Sequence, residues 1–135
     1  MEYKNLISIT GMSGIFELVS PKSNGGLVRS LEDKTTKFVS NRLHNFSQLE
    51  NIEIYTTREN VNLVEIFNAM AASTEPLPND KDPKLVKEYF KKVYANMDFE
   101  RVYDSDRKKM VKWFAILKDN NIDIKLSQVA EEDAA

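Results

Sequence analysis

LISITGMSGIFELVSPKSNGGLVRSL, residues 6–31, is the stretch on which the fold reading turns. Three short apolar runs, at 6–9, 15–19 and 27–31, are separated by segments that turn the chain. Residues 11–14 (GMSG) and 21–26 (PKSNGG) supply glycine where positive φ is needed and proline or asparagine where the chain must bend. Runs this short, bounded by turn residues, read as strands. Working outward, residues 32–35 turn the chain into a fourth run at 36–39. After an irregular stretch containing His44, residues 52–56 (IEIYT) alternate, with Ile52 and Ile54 expected inward. Five short strands predict a strongly bent sheet. Closure into a small barrel removes exposed edges, and an SH3-like β-barrel is favoured over an OB-like one because the loops are short and no long helix interrupts the strands.

The period then changes. Asn62 with Glu65 three residues on resembles a capping box, and Leu63, Ile66, Phe67 and Met70 follow helical spacing to about Ser73. Residues 74–82 (TEPLPNDKD) form the linker. Asp82 and Pro83 suit the start of a second helix, with Leu85, Val86, Tyr89, Phe90, Val93, Tyr94 and Met97 as its apolar stripe. Lys84, Glu88 and Lys92 are spaced for ion pairs. Asp104 or Ser105 is expected to cap a third helix reaching Asp119, with Met110, Trp113, Phe114 and Leu117 inward. Asn120 and Asn121 stop it. The fold class is thus α+β: a small SH3-like barrel with a trailing helix at 1–73, a helical hairpin at 83–121, and a disordered tail at 122–135.

Composition limits the function. The 135 residues carry a net charge of −2 and no cysteine, which excludes disulfides, thiolate metal sites and a cysteine nucleophile. The first residues carry an early acid and only a short apolar run, unlike a secretory leader. No apolar run approaches the roughly 18 residues of a membrane span. A cytoplasmic protein is expected, with no membrane contact and no cofactor.

Several phrases together resemble an uncharacterised bacterial family: ISITG (7–11), SGIFELVS (13–20), LVRSL (27–31), IEIYT (52–56), NLVEIF (62–67) and RVYDSDRKKMVKWF (101–114). Its N-terminal part is known only as a domain of unknown function, followed by a helical partner. The resemblance implies the same two-part layout in a bacterial cytoplasmic protein, and no reaction. Asn62 stands where relatives often carry proline, and both residues suit a helix start.

No catalytic constellation stands out. His44 is the lone histidine and lacks an evident partner for acid–base or metal chemistry. Gly11 and Gly14 make a G-x-x-G, but between strands rather than between helices it reads as a turn. Asp98, Glu100, Asp104 and Asp106 lack the turn glycine of a calcium loop and read as helix caps. The one directional feature is basic: residues 84–118 hold ten Lys or Arg against five Asp or Glu. Lys84, Lys87, Lys91 and Lys92 stud the second helix, and Arg107, Lys108, Lys109 and Lys112 the third. These eight are the candidate surface for an anionic partner. The expected function is a non-enzymatic binding or adaptor module with a protein partner of unknown identity. RNA or DNA binding through the basic helices is the alternative.

Overall fold

The computed structural model describes residues 2–126. After a 3-10 turn at Tyr3–Asn5 come β1 (Leu6–Ile9), β2 (Phe16–Lys22), β3 (Gly25–Ser30), β4 (Thr36–Ser40) and β5 (Phe46–Gln48). They form one antiparallel sheet in the order β4-β3-β2-β1-β5. A second 3-10 turn, Leu49–Asn51, leads to a two-stranded sheet of β6 (Glu53–Ile54) and β7 (Val61–Asn62). Three helices follow: α1 (Leu63–Ala72), α2 (Pro83–Val93) and α3 (Asp104–Asp119). The α+β class holds.

The sheet is curled. In a flat sheet β3 and β5 would stand three strand positions apart, about 14 Å. Yet Cε2 of Phe46 on β5 lies 3.6 Å from where a Cβ on Gly26 of β3 would sit. One apolar cluster lines the inside of the curl: Ile7, Ile9, Phe16, Val28 and Val39, with Met12, Leu18 and Phe46 against it. β4 and β5 are nevertheless not hydrogen-bonded to each other, and no closed barrel is found. The expectation of a barrel therefore stands only as a curled five-stranded antiparallel sheet.

Its fifth strand also differs from expectation. Phe46–Gln48 pairs with β1, placing Phe46 opposite Ile9. The stretch at 52–56 instead pairs Glu53 with Asn62 and Ile54 with Val61. Phe46-Ser47-Gln48 has one apolar residue and so carries no alternation to read. Its strand state comes from a partner nearly forty positions earlier in the chain.

The period-two alternation of β1 serves two cores. Ile7 and Ile9 enter the curl, whereas Leu6 faces a larger cluster. That cluster unites Tyr3, Leu6, Ile15, Leu31 and Leu49 with Leu63, Ile66, Phe67 and Met70 of α1, Val86 and Phe90 of α2, and the α3 face. Met110, Trp113, Phe114 and Leu117 are buried as expected. Leu85 is not; it is 46% exposed.

Local chemistry sets the helix ends. Oδ1 of Asn62 accepts from the Val64 N–H at 2.9 Å, and Oδ1 of Asp82 accepts from Lys84 and Leu85. The cap of α3 is Tyr103 rather than Asp104 or Ser105: the Asp106 carboxylate reaches back to accept from the Tyr103 N–H at 3.2 Å. At its C-terminus Asn121 has φ +54°. The Ile122 N–H donates to Leu117 O and the Asn121 N–H to Lys118 O, each at 3.0 Å, which is a Schellman motif. The motif aims Ile122 inward, and Ile124 packs on the same core. The stretch expected to be disordered from 122 thus begins with a docked residue. Residues 127–135 lie outside the described residues.

Candidate functional site

The β1–β2 turn forms one wall of a cleft. Gly11 and Gly14 take φ +77° and +88°, and the Met12 N–H closes the turn on Ile9 O. Three bonds tie this turn to the β4–β5 loop, the first from the Thr10 N–H to Asn45 O at 3.1 Å. The Asn45 N–H donates to Thr10 Oγ1 at 2.8 Å, and Nδ1 of His44 lies 2.7 Å from Thr10 O. A carbonyl oxygen only accepts, so Nδ1 carries the proton and donates. The lone histidine is a loop clamp.

The opposite wall is the first half of α3. Between the walls lies a cleft of about 750 Å³. Ile52, Ile54, Met110 and Trp113 line it as an apolar floor, and Arg101, Lys108, Lys109 and Lys112 stand around it. Lys112 Nζ donates to Ser13 Oγ, joining the two walls. Arg101 is fixed from three sides. Its Nε donates to Asp98 Oδ2 at 2.7 Å, its Nη2 donates to Thr56 O at 3.3 Å, and its guanidinium lies 4.4 Å from the Tyr55 ring centre. The Arg101 hydrogen bond, helped by the backbone N–H groups of Glu100 and Arg101, holds the Asp98 carboxyl below the usual carboxylate range. Glu53 and Asp106 are the acidic members of the lining.

The eight basic residues singled out from the sequence do not share one surface. Lys108, Lys109 and Lys112 line the cleft. Lys84, Lys87, Lys91 and Lys92 are exposed on α2 but do not line it. Lys92 lies 3.9 Å from Glu75, and among the described residues neither expected pair with Glu88 forms. Arg107 is not at the surface at all: it is 3% exposed. Its Nη1 donates to Val102 O and, at 3.4 Å, to Phe99 O, while Nη2 donates to Asp104 Oδ1. The residue stitches the 99–104 turn to α3, because buried carbonyls need donors and guanidinium supplies several.

Within the acidic cluster, Asp98 and Asp106 cap backbone N–H groups and Asp104 pairs with a guanidinium. Asp98 accepts from the N–H groups of Glu100 and Arg101, Asp104 from Arg107, and Asp106 from Tyr103. Among the described residues no group of three or more His, Cys, Asp or Glu could hold a metal ion. Nor is any described helix long and apolar enough to cross a membrane. Tyr94 is half-buried with its hydroxyl on Glu65, and Tyr89 is buried. Sequence reasoning missed the meeting of the 11–14 turn with Ile52, Ile54 and α3, since nothing local signals a contact across about a hundred residues.

Residues 4–49 match a family model described as Domain of unknown function (DUF5606), and residues 52–117 match one described as Domain of unknown function (DUF6852). The cleft lies along their junction and draws its lining from both. No curated protein matches the chain. A solution NMR structure from Bacteroides vulgatus, a structural-genomics target, is similar over 90% of this chain and 92% of its own, with 27% identity and a TM-score of 0.67. The chain therefore joins two domains of unknown function, the first spanning the curled sheet and the second the helices, in an arrangement shared with a protein of a Bacteroides species.

Proposed function

We propose that the chain is a non-enzymatic binding module whose partner is another protein, seated in the cleft between the β1–β2 turn and α3. The observation that carries this reading is the cleft itself, an apolar floor ringed by a few fixed polar groups. That is the usual make-up of a recognition site, in which apolar area gives affinity and polar groups give orientation. The nearest thing to catalytic machinery is the Ser13–Lys112 contact. A lysine base needs a desolvated amine, and Lys112 is only half-buried while Ser13 is exposed. The contact fits a strut across the cleft better than a nucleophile with its base.

The same proposal includes a cytoplasmic setting and a half-closed SH3-like barrel for the sheet. The strand order and the approach of Phe46 to Gly26 support the latter. Small barrels of this kind act through loops and grooves, which is an argument from fold analogy.

A peptide library displayed on phage and selected against the full chain tests the reading. Enriched peptides are expected to bind the wild type and to lose about tenfold in affinity for Met12→Asp, which puts a charge beside the apolar floor. Enrichment indifferent to Met12→Asp, or labelling of Ser13 by a fluorophosphonate, overturns it.

A further inference from the structure

The charges around the cleft name its ligand more closely, on the reading just given. The chain is acidic overall, with net charge −2. The cleft reverses that sign: four cations line it against Glu53 and Asp106. Asp106 is engaged by the Tyr103 N–H, and Arg101 is engaged by Asp98. Among the described residues Lys108 and Lys109 have no acidic partner, and Lys112 has only the Ser13 hydroxyl. Three ammonium groups on one helical stretch therefore stand beside an apolar floor with little to neutralise them.

We infer that the cleft takes an extended acidic peptide that carries a large apolar side chain. The apolar residue lies on Ile52, Ile54 and Trp113, and its acidic neighbours reach Lys108, Lys109 and Lys112. The spacing agrees. Lys108 and Lys112 are four residues apart on α3, about 6 Å along its axis. Alternate residues of an extended peptide project to the same side about 6.6 Å apart. A nucleic acid fits less well. Its affinity grows with the number of phosphates neutralised along a strand, and the α2 lysines that would extend the track lie outside the cleft. The exposed aromatic ring lining it, Tyr55, already has the Arg101 guanidinium over it.

The test is an NMR titration of the full ¹⁵N-labelled chain with four probes. They are the peptide SGEDLFDEGS, its neutral counterpart SGQNLFNQGS, the anchorless SGEDGGDEGS, and a short oligo(U) RNA. The first is expected to shift resonances of residues 10–14 and of the first half of α3, and to weaken several-fold between about 50 and 300 mM salt. Lys108→Glu with Lys109→Glu should weaken it by about tenfold or more, and Lys84→Glu with Lys87→Glu should leave it unchanged. The anchorless peptide should bind at least about tenfold more weakly, since it forfeits the apolar burial. Equal binding of the neutral peptide overturns the acidic assignment but leaves the binding-module reading standing. Tighter binding of the RNA in the cleft overturns both the ligand class and the protein partner. Absence of any shift with SGEDLFDEGS overturns the inference alone, because the phage selection imposes no charge on its peptides.

Discussion

Arg107→Met removes a charge that the sequence alone assigns to solvent and the structure places inside. Methionine keeps an unbranched stem of similar reach, so the packing around the aliphatic part survives. The donors do not. Val102 O, which is buried, loses the guanidinium at a cost of about 1–3 kcal/mol, and Phe99 O, only part-buried, loses a weaker bond at 3.4 Å. The guanidinium also lies 5.5 Å from the Phe99 ring centre, worth about 0.5–1 kcal/mol. The ion pair with Asp104 adds little, because that carboxylate side chain is 62% exposed. Against these losses stands relief from desolvating a buried cation. The net expectation is a destabilisation of about 2–3 kcal/mol. Urea unfolding of the full chain, followed by the fluorescence of Trp113, its single tryptophan, measures it. The midpoint should fall by about 1–2 M with an unchanged slope. The neighbouring exposed Lys108→Met should stay within about 0.5 kcal/mol of wild type. Equal midpoints for the two variants would refute the reasoning and return Arg107 to the basic surface.

Two further outcomes are expected. Gly25→Ala should lower the thermal midpoint by several degrees, since a Cβ there would lie 2.1 Å from Val39 O at φ +153°; an unmoved midpoint would mean that β3 and β4 do not approach so closely. Burial, and then the hydrogen bond to Glu65, pushes Tyr94 up to about 12. A phenol whose folded pKa is raised binds its proton more tightly in the folded state. Its stabilisation is complete below the unfolded value of about 10 and is lost as pH climbs toward 12. Urea midpoints measured from pH 8 to 11.5 should therefore fall less steeply above pH 10 in Tyr94→Phe, and identical slopes would refute the assignment. Tyr3, which burial also pushes upward, contributes equally to both proteins.

The helical half was legible because its signals are local. Asn62 and Asp82 cap through bonds to backbone N–H groups two or three residues on. The α3 stripe follows from 3.6-residue periodicity, and the stop at Asn120 and Asn121 from tolerance of positive φ. The first four strands were legible for the same reason, but the turn expected at 21–26 narrows to Ser23 and Asn24, because Pro21 and Lys22 pair with Gly26 and Gly25. The cap of α3 was misplaced by one or two residues, because Tyr103 has no capping preference of its own and depends on Asp106 reaching back.

What the sequence by itself determined is the succession of strands then helices, the first four strands, the three helices and most of their apolar faces, since each rests on residues within a turn or two of one another. Tertiary structure alone decided that Phe46–Gln48 is the fifth strand, that Arg107 is buried while its neighbours Lys108 and Lys109 are not, and that a turn at 11–14 faces α3 across an apolar floor. The first and last of these depend on pairings between segments nearly forty to a hundred residues apart, whereas Arg107 is enclosed by the 99–104 turn folding back on α3. A side chain's local pattern reports which face of its element it occupies, but not what the folded chain brings against that face.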